Sequence, residues 1–341
     1  AVANLEALMR PTATFLLTAS HDDQPADRGT AAARIGWGLD PLTTATAELS
    51  GLTLNAEDAG GRRGLADARV GISGRFPSLA LNVALRAGAR RFSDASAVPI
   101  FDVQLERTAG AFELALLLAR DTALDSAPSY RSHVTTETLA LGLRRPLASG
   151  RAPGSTFTFA AEVRASRFAD ENAALAASAW AELPLGHVGP VRLAGTVAAS
   201  YRDTRDVRVR GVFVGSSLLP AGGFAYEIRT PFDPYVTPER QLEARAGFHA
   251  VLPASASLTL SFTGEAGAGR ERATGFGPST GTTPLPVSLA PGSYSRRYAP
   301  YRLAFSGTYG TGMTTLQAEV GHASSAFYEV TSVDLRVTRR F

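Results

Sequence analysis

The sequence predicts an all-β chain that closes into a single antiparallel up-and-down β-barrel of about sixteen strands. Three observations predict it. Apolar and polar residues alternate with a period of two through most of the chain, the alternating runs are about nine to fourteen residues long, and short turns take turns with longer polar links. Strands of soluble sheets average about five or six residues, whereas a tilted strand crossing a bilayer takes about nine to eleven. The expected barrel is therefore transmembrane and occupies residues 12–341, behind a short periplasmic helical lead-in at residues 1–11.

The lead-in is "AVANLEALMRP", where Val2, Leu5, Leu8 and Met9 fall near helical spacing and Pro11 stops the helix. The alternating runs then follow in order: residues 12–20, 31–39, 43–52, 66–76, 79–92, 100–107, 111–120, 135–145, 155–168, 173–183, 191–201, 241–252, 257–267, 301–310, 314–324 and 327–341. Short turns are expected at Asp40–Pro41, Pro77–Ser78, Ala109–Gly110, Gly186–Pro190, Leu252–Ser255 and Gly310–Gly312. The longer links between them include "HDDQPADRG", "NAEDAGGRR", "DTALDSAPSYRSH", Asp203 to Arg240 and Arg270 to Pro300. Tight turns at one rim and long loops at the other are the pattern of an outer-membrane barrel. The register is least defined at residues 146–154 and 168–172, where the link lengths depart from this alternation.

With the long loops outside, both termini face the periplasm. The link Asp203–Arg240 carries Phe213, Phe224, Tyr226, Phe232 and Tyr235, more apolar surface than a free loop exposes, and is expected to pack at the pore mouth. Arg270 to Pro300, with Gly and Pro throughout, is expected to be mobile.

Composition narrows the classes. Of 341 residues, 45% are hydrophobic, yet no run approaches the ~18 apolar residues of a membrane helix. The chain has no cysteine, so neither a disulfide framework nor a thiolate metal site is available. All 34 basic residues are arginine, which accounts for an isoelectric point near 9.4 at a formal charge of +3. The basic clusters are short and lack interleaved aromatics, so nucleic acid is not an expected partner.

Each strand has one face fit for lipid and one that carries charge. In "YRLAFSGTY", Tyr301, Leu303, Phe305 and Tyr309 oppose Arg302, Ser306 and Thr308; in "SLTLSFTGEAG", Leu258, Leu260 and Phe262 oppose Thr259, Ser261 and Glu265. A soluble sandwich alternates in the same way, but strand length, turn asymmetry and the lack of proline in strand centres favour the closed, lipid-facing sheet. The polar phase supplies the candidate lumen residues: Arg34, Glu48, Arg69, Arg86, Asp102, Glu106, Glu162, Arg164, Trp180, Arg192, Glu243, Arg245, Glu265, Arg302, Glu319 and Asp334. Trp180 on that phase is placed either to stack on a solute passing through the lumen or to brace the wall.

In the last strand, Val333, Leu335, Val337 and Phe341 share the lipid phase, resembling the terminal signal by which outer-membrane barrels are recognised for assembly, with a departure at Arg339. The lead-in, the sixteen strands and the terminal Phe341 together resemble the C-terminal barrels of exopolysaccharide-export porins, which secrete cellulose or poly-N-acetylglucosamine behind a periplasmic repeat domain. "AVANLEALMRP" is similar to the tail of a repeat helix, and Gly222 to Gly247 is similar to the aromatic, proline-punctuated loop of the cellulose-export group. The resemblance implies an outer-membrane location, passive conduction of a polysaccharide, and as partners the membrane lipid and a periplasmic repeat domain or secretion system. A general diffusion porin for small polar solutes and a surface barrel whose loops bind a partner stand as alternatives.

No enzyme, cofactor or metal is expected. Five histidines lack the paired spacing of a zinc hydrolase, Asp22, Asp23 and Asp27 lack a calcium-loop cadence, and His322 with Ser324 lacks an orienting third group.

Overall fold

A computed structural model describes residues 10–22, 26–56, 61–124, 128–148, 156–209, 212–229, 233, 236–275, 279–282, 292–326 and 329–341. The lead-in over residues 1–9 lies outside them, as do Phe232 and Tyr235. Strands follow one another in the order β1 Thr12–Asp22, β2 Ala26–Asp40, β3 Thr43–Ala56, β4 Gly61–Phe76, β5 Leu81–Phe92, β6 Ala97–Ala109, β7 Phe112–Thr122, β8 Thr135–Ala148, β9 Thr156–Phe168, β10 Ala173–Val188 and β11 Val191–Thr204. After these come β12 Val212–Leu218, β13 Phe224–Arg229, β14 Glu239–Pro253, β15 Leu258–Gly275, β16 Ser279–Gly281, β17 Gly292–Tyr298, β18 Tyr301–Thr311, β19 Thr314–Ser324 and β20 Glu329–Arg340.

Every pairing is antiparallel between neighbours, and β1 closes the sheet against β20 from Thr12↔Arg340 to Asp22↔Val330. β17 and β18 are one stave: both pair with β15, at Gly269↔Tyr298 and Ala266↔Tyr301. Between them stands buried Pro300, which has no N–H to give the ladder. The result is a closed sixteen-strand barrel. Closure pairs every stave on both sides, so there is no open edge to satisfy. The eleven-residue β1 rises ~36 Å, which at a tilt of about 40° covers about the thickness of a hydrocarbon layer.

Which phase faces inward is fixed by bonds that pass over an intervening strand. Arg69 on β4 lies 3.8 Å from Asp102 on β6 and 3.4 Å from Asp121 on β7, a convergence available only on a concave surface. Carrying that phase through the register places Thr259, Ser261, Thr263 and Glu265 inside and Leu260 and Phe262 outside. The outer phase includes the exposed residues Phe15, Leu49, Val70, Leu141, Leu242 and Phe305. Gly88, Gly247 and Gly267 sit on the inner phase where neighbouring backbone leaves no room: a Cβ on each would lie 1.9–2.0 Å from a carbonyl oxygen of the adjoining strand.

One rim carries the expected tight turns, three of them with glycine at positive φ, Gly110 at 62°, Gly189 at 58° and Gly312 at 50°. The other rim differs from expectation. Most of "HDDQPADRG" and "NAEDAGGRR" is strand, because β1 runs to Asp22 and resumes as β2 at Ala26, and β3 runs to Ala56 before β4 begins at Gly61. Asp22 is buried and accepts from the Ala26 N–H at 3.2 Å, with Arg28 at 3.3 Å, so polar residues continue the ladder past the apolar band. The link 270–300, expected to be mobile, supplies the end of β15, β16 and β17. β16 pairs with β13, and β13 with β12, so two long links form one three-stranded sheet.

Candidate functional site: the barrel interior

All sixteen expected polar-phase residues take the inner phase of the register. Arg34, Glu48 and Arg69 are successive partners on β2, β3 and β4, and Arg86 pairs with Asp102 across β5 and β6. Glu106 shares the phase of Asp102. Glu162 faces Ser178 on β10, and Arg164 follows it two residues on. Trp180 faces Ala160 and Ala198, with Arg192 in the phase of Ala198. Glu243 and Arg245 lie opposite Gly269 and Gly267, Glu265 opposite Arg302, and Glu319 opposite Asp334.

These charges are organised into two networks. On β4 to β7, Arg90 donates two hydrogen bonds of 2.7 Å to Asp67, a third of 2.6 Å to Thr122, and also pairs with Asp121. Arg86 donates to Asp102 at 2.9 Å, and Arg69 bridges Asp67, Asp102 and Asp121. Three arginines and three aspartates thus neutralise one another, and the mutual attraction offsets the cost of removing the buried members, Arg90, Asp67 and Asp102, from water.

The second network spans β14, β15 and β17. Arg245 lies 3.0 Å from Glu243 and 3.5 Å from Glu265, and the Tyr298 hydroxyl donates to Glu243 at 3.1 Å while accepting from Gln241 at 3.0 Å. One step further toward the long-loop rim, Glu271 is fully buried, with Arg296 2.9 Å away. Its neighbours Arg270 and Arg272 take the outward phase, which sets this level beyond the apolar band. Burial pushes the Glu271 carboxyl up to about 7 against the pull of Arg296.

Between the networks, Trp180, Glu106, Glu113, Arg144 and Glu162 border a recess of about 490 Å³ in the inner wall. Arg144 lies 3.7 Å from Glu113, and Arg164 donates to Glu162 at 2.9 Å.

Toward the long-loop rim the inner surface becomes apolar. Leu54, Leu65, Phe92, Ala26 and Ala56 form a buried cluster closed by Tyr130 from the β7–β8 link, which is 2% exposed. A single helical turn, Ser129–Ser132, carries it, ended by His133 in the left-handed region at φ 52°. His133 rests on Phe92, ring centroids 4.2 Å apart, and lies 3.1 Å from Asp94. The β7–β8 link therefore folds inward, past β6, to rest on the inner face of β2–β5. It is held from the far side by Arg131, which donates to Asp233 at 2.7 Å.

The link between β11 and β14 is tied down in turn. Thr237 is buried, accepts from the Arg208 N–H at 2.7 Å and donates to the Arg208 carbonyl at 3.2 Å, while Arg208 reaches Asp170 at 2.8 Å. Tyr226 is buried and Phe224 half-buried, in keeping with the packing expected of this link. Phe213 belongs to β12.

Tyr130, Asp67, Arg90, Asp121, Glu271 and Arg296 escaped the sequence reading. Apolar residues on the polar phase, Leu52, Leu54, Leu65 and Phe92, were the available signal for an inward-folded loop.

On the outer surface, His322 is engaged at both ring nitrogens, by the Tyr301 hydroxyl at 2.8 Å and the Thr331 hydroxyl at 2.9 Å. This makes it part of a polar-aromatic belt above the apolar band. Phe341 is exposed on the outer phase, its N–H donates to the Pro11 carbonyl at 2.9 Å, and Arg339 lies 5.3 Å from its ring centroid.

No protein-family profile matches the sequence, and no curated protein matches it. Among solved structures, the chain is similar in fold to a "Bacterial polysaccharide outer membrane secretin", at a TM-score of 0.69 and 10% identity over 98% of this chain and 99% of that one. It is also similar to CdiB from Acinetobacter baumannii, at a TM-score of 0.53 and 9% identity, over 96% of this chain and 60% of the other. At such identities the likeness is one of fold.

Proposed function

We propose that the protein is an outer-membrane channel that conducts a polar polymer, with secreted polysaccharide as the cargo. The observation that carries the reading is the division of one closed wall into an outer phase of exposed Leu, Phe, Val and Ile and an inner phase of both charge signs. An apolar exterior of this size fits hydrocarbon, and sixteen strands enclose a lumen wide enough for water and solutes. Both termini share the tight-turn rim, which in this reading is the periplasmic one, and Phe341 serves as the assembly signal.

Three features favour a hydroxyl-rich cargo. The inner charges of the two networks are mutually paired and the others are spread along the wall in both signs, so they offer many weak hydrogen-bonding groups rather than one strong ionic trap. Trp180, with 40% of its surface open to the interior, presents a ring face beside Glu106 and Glu162. The fold likeness to a structure described as a polysaccharide secretin covers nearly the full length of both chains.

A second reading, passage of small solutes only, is favoured by one observation: the inward-folded link bearing Tyr130 narrows the interior. Planar-bilayer recordings separate the two. Polymer conduction predicts ion current that neutral oligosaccharides interrupt reversibly, with dwell times that lengthen with chain length. A steady current indifferent to oligosaccharides of every length supports the small-solute reading, and no current, even with Tyr130 removed, refutes both.

A further inference from the structure

We propose that the outer wall between β5 and β9 holds one anionic phospholipid, its phosphate on Arg107 and Arg145 and an acyl chain in the groove above them. The inference rests on the reading of the barrel as membrane-spanning and adds a site that conduction does not require.

The groove measures about 550 Å³ and is bordered on the outer phase by Leu105, Leu114, Leu116, Leu141, Leu143 and Val163, with Arg107 at one end. Its hollow comes from the sequence. Leu143 faces Ala161 in register, and Ala161 faces Ala179, so large side chains on β7 and β8 give way to methyl groups on β9 and β10. Arg107 shares the level of Leu114 and Leu81, three residues short of the Gly110 turn, which puts it at the tight-turn edge of the apolar band. One step nearer that rim, the Arg145 guanidinium lies 4.8 Å from the centroid of the Phe112 ring, and its Nε has no hydrogen-bond partner among the described residues.

Charge gives the occupant. Around the groove and its tight-turn end, the outward phase of β5 to β9 carries no Asp or Glu among the described residues; the one outward carboxylate on these strands, Glu137, lies opposite Arg120 toward the long-loop rim. The nearby carboxylates Glu106 and Glu113 take the inner phase, and Glu162, which also borders the groove, turns inward to Arg164 at 2.9 Å. Two guanidinium forks without a carboxylate, above a dry leucine-lined hollow, match a phosphate with a hydrocarbon tail.

Native mass spectrometry of the barrel in mild detergent, titrated with dioleoylphosphatidylglycerol or dioleoylphosphatidylcholine, tests this. The expected result is one bound phosphatidylglycerol at a concentration about tenfold lower than phosphatidylcholine requires. Arg107→Gln with Arg145→Gln removes that preference, and Ala161→Trp, which fills the hollow and keeps both arginines, reduces binding of both lipids. Equal binding of the two lipids by the unaltered protein overturns the proposal, as does an unchanged preference in the double variant. A chain that stays monodisperse without detergent defeats the membrane reading instead, a separate observation.

Discussion

Arg90 on β5 grips Asp67 on β4 through two hydrogen bonds of 2.7 Å, and both side chains are buried inside the barrel wall. Replacing Arg90 by Met leaves Asp67 and Asp121 with Arg69 as their one remaining shared counter-charge, at 3.3 and 3.4 Å, a loss of up to about 3–5 kcal/mol. Urea unfolding of the barrel in detergent is the measurement. Substituting Arg90, Asp67 and Asp121 together by apolar residues is expected to cost less than the single change, because no charge is then left buried alone.

Tyr130 closes the apolar patch made by Leu54, Leu65 and Phe92. Tyr130→Ala is expected to lower stability by about 3 kcal/mol and to raise single-channel conductance, since the β7–β8 link loses its anchor on the inner face of β2–β5. Unchanged conductance would mean that the link does not narrow the path.

Glu271 titrates near 7 in the folded protein and near 4.5 when unfolded, so the folded state holds the extra proton between those values. Stability is therefore fully present below about 4.5, falls as pH rises toward 7, and above that the loss is complete, up to ~3 kcal/mol. Glu271→Gln keeps a partner for Arg296 and removes the titration. Thermal unfolding at pH 5 and pH 8 is expected to show the variant gaining on the unaltered protein at the higher pH; parallel behaviour at both would contradict the assignment.

Trp180→Ala is expected to weaken oligosaccharide block of the channel by about 0.5–1.5 kcal/mol while leaving the open conductance of salt unchanged or slightly higher. A bracing role for the ring predicts the opposite: lower stability with block unaffected.

The wall was legible in the sequence because its physics is local. A period of two and a long strand follow from solvent on one side and hydrocarbon on the other, so Thr263 and Phe262 declare their faces without knowledge of any neighbour. The mouth was not, because its bonds join residues far apart in the chain. Arg131 meets Asp233, and Thr237 meets Arg208, only once the barrel has brought their links together. The polar ends of β1 and β3 read as loops for a related reason: beyond the apolar band the alternation loses its apolar half, although the ladder continues from Asp22 to Ala26 and from Ala56 to Gly61.

The sequence has no cysteine, so single cysteines placed along β15 report one position each. With the protein in lipid vesicles, a water-soluble thiol reagent is expected to modify Ser261→Cys, Thr263→Cys and Glu265→Cys, while Leu260→Cys, Phe262→Cys and Gly264→Cys stay protected and are quenched by lipid-borne probes. Reactivity that rises and falls with a period of two supports a wall with water inside and hydrocarbon outside. Uniform reactivity along the strand, or protection of the set containing Thr263, would contradict it.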